Sequence, residues 1–220
     1  LLLVWLLLSV VPSALTREAP HVLRAITMLP IPMVTSALGF FYFLERAERL
    51  KISRKTLTFV YLLLVIIFAG DYLKTYFSDY KRDYSWAWQY DYKEAVDYAK
   101  KNYSGYDKII VTKKYGEPHE FFLFFLSWNP KMYRDDPNLI RFEQSGWFWV
   151  DRFNKFYFVN DWEIPKEKGI FVLESKRETV DCTEETKCLL ITSPGNHPVG
   201  WKNLETINFL DGRAAFEIYE

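Results

Sequence analysis

Apolar residues dominate the first third of the chain in three long runs. They cover residues 1–15, about 22–44 and about 57–77, and few charged side chains interrupt them. A helix needs roughly 20 apolar residues to cross a bilayer, so the second and third runs predict transmembrane helices. The first run is shorter, and we interpret it as the truncated end of another such helix. The pattern predicts the last three helices of a larger membrane bundle, in the C-terminal part of a longer protein.

The segment between the second and third runs, residues 45–55, carries five cations. Cytoplasmic loops of membrane proteins are enriched in Lys and Arg, so this segment predicts the cytoplasmic side. Alternation then places residues 16–21, and everything after about residue 78, outside the cytoplasm. Pro30 and Pro32 fall inside the second run and predict a kink there, because proline removes a backbone donor.

Beyond residue 78 the apolar positions follow the shorter patterns of strands and amphipathic helices. The pattern predicts a helix over residues 92–103, with Ala, Val and Tyr side chains on one stripe. It also predicts a buried strand at 108–112, after Gly105 ends the helix. The other predicted elements are a helix at 117–128, strands at 153–159, 169–174 and 188–192, and a hairpin of 205–210 with 214–219. The pattern predicts a small extracytoplasmic α/β domain over residues 78–220.

Charge divides the chain at the same place. The whole sequence is neutral, with 28 Lys+Arg and 28 Asp+Glu, but the first 75 residues hold eight basic and four acidic residues. Binding to nucleic-acid phosphates needs a basic face, so the balanced charge argues against a nucleic-acid partner. The sequence also has no phosphate-binding glycine loop, no His/Cys spacing for a metal and no Ser-centred nucleophile motif. These enzyme classes are disfavoured.

The two cysteines, Cys182 and Cys188, enclose a polar segment of the part placed outside the cytoplasm. An oxidising compartment favours a disulfide between them, and two free thiols are the alternative. A Cys pair without a neighbouring His or a further Cys is a poor metal site, so no metal ligands are predicted.

Residues 16–24 form the most informative loop. Pro20 suits the start of a helix, and His21 and Arg24 then project from the same side of its first turn. Exposed amides together with an Arg and a His bind anions, and a lipid phosphate is the anion expected at the membrane surface. The alternative is that Arg24 extends to the interface and His21 has no binding role.

Three motifs carry a family resemblance: EAPHVLR at 18–24, YDYKEAV at 90–96 and YGEP at 115–118. Together with a proline-containing transmembrane helix, a last such helix and an aromatic C-terminal domain, they resemble bacterial membrane glycosyltransferases of the GT-C class. The likeness is to the dolichyl-phosphate-mannose protein mannosyltransferase and aminoarabinose transferase relatives, glycosyltransferase family 39. It implies transfer of a hexosyl or pentosyl unit from a polyprenyl-phosphate donor at the outer face of the plasma membrane. The acceptor, a glycan, lipid or protein, is not specified.

The resemblance also bears on individual residues. The family's catalytic acid lies in a first outer loop that this sequence does not contain, so no catalytic residue is predicted here. The resemblance implies that His21 and Arg24 bind the donor phosphate and stabilise the charge of the leaving group. No cofactor is identified, and dependence on a divalent metal is left open because family members differ.

Polar and aromatic side chains in the outer domain are densest at Tyr115, Glu117, His119 and Trp128. Aromatic faces beside a carboxylate are common in carbohydrate sites, so these residues are predicted sugar or acceptor contacts. The alternative assigns them to the domain core or to its contact with the membrane. For the whole chain, the rival hypothesis is a membrane-anchored extracytoplasmic binding or assembly module without catalysis. Upstream sequence with many transmembrane helices and an outer-loop acid would favour the enzyme.

Overall fold

A computed structural model describes residues 1–15, 22–49, 52–167, 169–175, 178–183 and 185–220. The chain divides into two compact units, Leu1–Leu73 and Lys74–Glu220. The predicted boundary after residue 77 lies close to this division. The prediction of apolar helices followed by an α/β domain is confirmed at this level of detail.

The first unit is helical. Its elements are α1 (Leu2–Ser9), α2 (Val11–Leu15), a 3₁₀ helix (Val22–Met28), α3 (Pro30–Arg49) and α4 (Arg54–Lys74). Two helical stretches, Leu23–Ala47 and Arg54–Asp83, are long and apolar enough to cross a membrane. The apolar window of Arg54–Asp83 has none of its residues buried inside the described chain, unlike the core helix of a soluble protein. At Pro30, which lacks a backbone donor, the chain changes from 3₁₀ helix to α-helix.

The second unit is a mixed sheet with helices and a small hairpin. After α4 come a π-helical turn (Thr75–Tyr80), α5 (Lys81–Asp83) and a 3₁₀ helix (Ser85–Trp88). The elements that follow are α6 (Tyr92–Lys101), β1 (Lys108–Thr112), α7 (Pro118–Phe125), α8 (Pro130–Arg134), β2 (Ile140–Gln144), β3 (Trp147–Phe153), β4 (Phe156–Val159), β5 (Ile170–Val172), β6 (Thr179–Asp181), β7 (Cys188–Thr192), β8 (Asn203–Asn208) and β9 (Ala214–Tyr219).

The seven-stranded sheet has the order β2-β3-β4-β1-β7-β9-β8. Its centre is parallel: Ile110 of β1 pairs with Tyr157 of β4 on one side and with Leu190 of β7 on the other. The flanking strands β3 and β9 are antiparallel to their central neighbours. We call the end at which β1, β4 and β7 finish the carboxyl end of the sheet, and the opposite end the amino end. The β2–β3 and β8–β9 turns therefore lie at the carboxyl end.

Alternate residues of β1 face two different cores. Ile109 and Val111 pack with buried residues of α6 and α7, whereas Ile110 packs on the other face. That second face is covered by the β5–β6 hairpin, through Phe171 and Val180. Parallel strands are stable when both faces are covered, and this arrangement of helices, sheet and hairpin supplies both covers.

The prediction of a single strand over 153–159 is wrong. Residues 154–155 form the turn between β3 and β4, and Asn154 has a φ of 49°. Asn tolerates this left-handed conformation better than most residues, so the chain reverses inside the apolar run. The strands β2 and β3 that precede this turn were not predicted.

Phe122 and Phe124 give a direct test of the helix-side core. Phe122 is fully buried, with its ring 5.0 Å from that of Phe156, whereas Phe124 on the same helix is 75% exposed. Removing a buried Phe leaves a cavity, so we expect Phe122→Ala to lower the unfolding free energy by about 3–5 kcal/mol. Phe124→Ala is the control, with an expected change within about 0.5 kcal/mol. Denaturant unfolding of the full chain measures both, and equal losses would contradict this packing.

Candidate functional site

A buried ionic cluster lies at the carboxyl end of the sheet. Lys113 directly follows β1, and its backbone N–H donates to the Val159 carbonyl at 2.8 Å, which continues the pairing with β4. Its Nζ lies 2.7 Å from Asp151 Oδ1 and 2.8 Å from Glu174 Oε2. We call these three residues the Lys113 cluster. The Lys113 side chain is 5% exposed and that of Asp151 is 0% exposed.

An irregularity in β3 places Asp151 in this cluster. Ile140 pairs with Arg152 and Arg141 pairs with Val150, so Asp151 is an extra residue on its strand. Such a β-bulge redirects the side chain of the inserted residue. Asp151 Oδ2 also accepts a hydrogen bond from the Ser175 N–H at 2.8 Å. Both carboxylate oxygens of this buried residue are therefore partnered, as a buried charge requires.

Two aromatic rings border the same ammonium group. The Nζ of Lys113 lies 5.5 Å from the ring centre of Phe142 and 5.9 Å from that of Trp149. Within about 6 Å, the face of an aromatic ring attracts a cation. The ammonium group of Lys113 is therefore surrounded by the two carboxylates of the cluster and by these two rings. The Lys113 charge is thus balanced mainly by its ion pairs with Asp151 and Glu174.

Glu117 and His119 adjoin the Lys113 cluster at the start of α7. Pro118 opens this helix, and Glu117 Oε2 lies 3.3 Å from His119 Nδ1. Burial lowers the pKa of His119 to about 4, and the positive charges of Lys113 and Arg141 act in the same direction. Burial raises the pKa of Glu117, although Lys113 opposes this. His119 is therefore neutral at pH 7, and the contact with Glu117 is not an ion pair.

Several polar atoms near the starts of α6 and α7 are buried without a hydrogen-bond partner among the described residues. They include Glu117 Oε2, His119 Nδ1, the Tyr92 hydroxyl and both carboxylate oxygens of Asp91. Burial raises the pKa of Asp91 to about 7 and also raises the pKa of Tyr92. Unpaired polar groups are costly in a protein interior, so these atoms have a hydrogen-bonding capacity that the described residues do not use.

The predicted outer-domain contacts do not form one site. Glu117 and His119 touch, but the Tyr115 hydroxyl donates to the Ala215 carbonyl at 3.0 Å, and its ring packs against Phe216 in the core. Trp128 lies near the amino end of β4, with its ring centre 6.1 Å from that of Phe156. The pair Glu117 and His119 remains the predicted contact for a sugar or acceptor.

The structure describes three of the remaining four predicted residues, Cys182, Cys188 and Arg24. Cys182 and Cys188 are joined by a disulfide between the end of the β5–β6 hairpin and β7. Arg24 is exposed in the 3₁₀ helix that precedes α3, and His21 lies outside the described residues. Across the described ranges, no group of three or more His, Cys, Asp and Glu side chains is placed to hold a metal ion.

The Lys113 cluster was not predicted from the sequence, although the positions of two of its members gave a signal. Lys113 directly follows a buried strand, where side chains at the carboxyl end of a parallel sheet converge. Asp151 is a charged residue within the largely apolar strand WFWVDRF. Glu174 gave no such signal, because it reaches Lys113 only after the β5–β6 hairpin folds over the sheet.

Comparisons with known proteins add no further constraint. The chain matches no protein-family model, no curated protein and no solved structure. We therefore infer its function from its residues, their geometry and the resemblance of its motifs.

The depressed pKa of His119 predicts how stability depends on pH. Between the ordinary histidine pKa of 6.5 and about 4, the unfolded chain binds a proton at this position that the folded chain excludes. The unfolding free energy should therefore fall as the pH is lowered through this window, by about 3 kcal/mol in total.

Comparison with His119→Gln isolates this contribution, because Asp91 and Glu117 act in the opposite direction in both proteins. Denaturant unfolding at several pH values measures the difference, and NMR of the His119 imidazole gives its pKa directly. A titration midpoint above 6 would contradict the buried, neutral state.

Lys113→Met tests the ionic cluster. The substitution keeps most of the side-chain volume but leaves Asp151 and Glu174 without their cation, so we expect a loss of about 3–5 kcal/mol in unfolding free energy. Lys114→Met is the matched control, because Lys114 is half exposed and lies 3.7 Å from Asp161. Its expected loss is under about 1 kcal/mol. Equal effects of the two substitutions would show that the cluster does not stabilise the fold.

Proposed function

We propose that this chain is the C-terminal portion of an integral membrane glycosyltransferase that uses a polyprenyl-phosphate sugar donor at the extracytoplasmic face. The order of features along the chain carries the proposal. An exposed Arg24 precedes most of the apolar stretch Leu23–Ala47, a cationic segment follows, and the second apolar stretch Arg54–Asp83 leads directly into the α/β unit. This order supports the family resemblance seen in the motifs.

Two independent features support an outer location for the α/β unit. The cationic segment at residues 45–55 favours the cytoplasmic side, which puts the C-terminal unit on the other side. The Cys182–Cys188 disulfide lies in that unit, and disulfides persist in oxidising compartments outside the cytoplasm. A reversed orientation would place the disulfide in a reducing compartment.

In this proposal Arg24 and His21 bind the phosphate of the lipid donor. The acceptor hydroxyl attacks the anomeric carbon, the bond from that carbon to the phosphate oxygen breaks, and the polyprenyl phosphate leaves with the electron pair. The hydroxyl proton passes to a carboxylate of the upstream part of the protein. Arg24 stabilises the negative charge that develops on the phosphate, because a guanidinium donates two parallel hydrogen bonds to phosphate oxygens.

The α/β unit contributes acceptor contacts. Neutral His119 and Glu117 offer polar atoms that lack hydrogen-bond partners among the described residues, at the carboxyl end of the sheet. A hydroxyl-rich acceptor can donate to and accept from such groups. In open α/β sheets, ligands bind outside the carboxyl ends of the strands, which supports this placement.

The second candidate is a membrane-anchored extracytoplasmic binding or assembly module without catalysis. One observation favours it: the charges of the Lys113 cluster are engaged with one another rather than directed at a ligand. Both candidates share the membrane attachment and the outer α/β unit. They differ in whether the chain binds a lipid phosphate and supports sugar transfer.

Binding of polyprenyl phosphate to the full chain in lipid nanodiscs tests the role of Arg24. A hydrogen bond to a charged group contributes about 1.5–3 kcal/mol, so Arg24→Ala should weaken binding roughly 10–100-fold. Lys55→Ala is the matched control, since Lys55 is an exposed cation of the segment assigned to the opposite side. It should leave the affinity unchanged.

Transfer of a labelled sugar, measured with the complete protein in membranes, separates the two candidates. The transferase requires both turnover and its reduction by Arg24→Ala. Unchanged phosphate binding in Arg24→Ala would overturn the phosphate site, and tight binding of the α/β unit to an acceptor without any turnover would favour the binding module.

A further inference from the structure

We propose that the carboxyl end of the sheet is a lipid-contacting surface that rests in the headgroup layer of the membrane. Exposed aromatic side chains form it, and we call them the aromatic rim: Trp86, Trp88, Trp147, Phe148 and Trp162. This surface goes beyond sugar transfer. It depends on the proposed function only for the attachment of the chain to a membrane.

The β2–β3 hairpin places two members of the rim. Gln144 pairs with Trp147, and the turn between them uses Ser145 and Gly146 at φ values of 56° and 79°. Positive φ at both central residues is typical of the tight type I′ turn. Because β3 is antiparallel to β4, this turn projects beyond the last residue of β4. Trp147 is 72% exposed, and Phe148 beside it is also exposed.

Trp162 reaches the same end from β4. It lies in a 3₁₀ helix, Asp161–Glu163, directly after Asn160. Asp161 Oδ1 accepts hydrogen bonds from Thr112 Oγ1 at 2.8 Å and from Ser193 Oγ at 2.7 Å. These bonds fix the short helix to the ends of β1 and β7. Trp162 is nevertheless 80% exposed, so a rigid support presents a large aromatic side chain to the surroundings.

The segment that follows the apolar stretch is bonded to this same end of the sheet. Ser85 Oγ accepts from the Leu210 N–H at 3.2 Å, and Leu210 belongs to the β8–β9 turn. Gln89 Nε2 donates to the Tyr115 carbonyl at 2.6 Å, just after β1. Gly116 follows Tyr115 with a φ of 112°, a backbone conformation that favours glycine.

These bonds place Trp86 and Trp88 at the carboxyl end, a few residues after Asp83 closes the apolar stretch. The end of the sheet that carries the exposed tryptophans is therefore the end at which the chain leaves its apolar helix.

The chemistry of the rim favours lipid headgroups as the contact. Tryptophan combines a large apolar ring with an N–H donor and is enriched at the boundary between lipid and water. The Arg141 guanidinium lies 4.1 Å from the ring centre of Phe148, and Lys114 lies 3.7 Å from Asp161. Cations and carboxylates are thus interspersed at this end. We therefore expect contact with neutral lipids that is driven by the aromatic side chains and does not depend on anionic lipid.

Fluorine NMR on the full chain in phosphatidylcholine nanodiscs tests the proposal. All tryptophans are replaced biosynthetically by 5-fluorotryptophan, and single Trp→Phe variants assign the resonances. A phosphatidylcholine with a spin label on its headgroup is then added, which broadens the signals of nearby fluorine atoms. We expect the Trp147 and Trp162 signals to lose at least about half their intensity, since their side chains enter the interface.

Two tryptophans at the amino end are internal controls. Trp128 packs on Phe156, the first residue of β4, and Trp201 precedes β8, which runs parallel to β7. A five-residue strand is about 15 Å long, so the two ends of the sheet differ by that depth. Because broadening falls steeply with distance, Trp128 and Trp201 should keep nearly all of their signal. The pattern should be the same at about 0.05 M and about 0.5 M salt, because salt screening weakens only charge contacts.

The outcomes separate this inference from the proposed function. Retained Trp147 and Trp162 signals in a reconstituted protein would overturn the lipid surface and show that the rim is covered by protein or exposed to water. Equal broadening of all four resonances would overturn it as well. Failure of the chain to enter nanodiscs would overturn the membrane attachment itself, and with it both proposals. Loss of sugar transfer alone would leave the lipid surface intact.

Discussion

Burial of the parallel strands β1, β4 and β7 on both faces is the constraint on which the α/β unit depends. Ile109 and Val111 need the helices on one side, while Ile110 needs the β5–β6 hairpin on the other. Because these strands are parallel, all three finish at the same end of the sheet, and long crossover connections join them. Lys113, Glu117 and Trp162 follow from this topology, because they occupy the connections that leave that end. The cluster, the candidate contacts and the aromatic rim are thus products of one sheet.

The elements that could be predicted from the sequence are those that depend only on residues close together in the chain. The stripe of α6 and the buried run of β1 follow from periods that a short window reveals, and the apolar stretches follow from length and hydropathy. The strand β3 was not predicted, because its first residues, Trp147 and Phe148, are exposed aromatics. The buried carboxylate of Asp151 also interrupts its apolar pattern. Glu174 and Lys113 meet only through packing of a hairpin on a sheet. Trp128, grouped with His119 by proximity in sequence, is separated from it by the course of α7.

Charge is managed differently in the two units. In the described part of the helical unit, Arg24, Arg46 and Lys55 are exposed. The sheet unit instead buries a lysine, and it does so by surrounding the ammonium with two carboxylates and two rings. His119 lies beside this charge and stays neutral because burial and a nearby cation both oppose its protonation. Burial is the main cause of this neutral state, and the buried cation adds to it.

The extra residue at Asp151 has a consequence for how this sequence can change. Side chains alternate strictly along a strand, so a bulge shifts the alternation of every residue on one side of it relative to the other. Val150 packs in the helix-side core and Phe153 does so beyond the bulge, which a regular strand could not provide. Loss of the single residue would exchange the inner and outer faces of the strand toward Trp147. The same position thus fixes both a buried carboxylate and the orientation of the exposed hairpin tip, so an insertion or a deletion there would alter both.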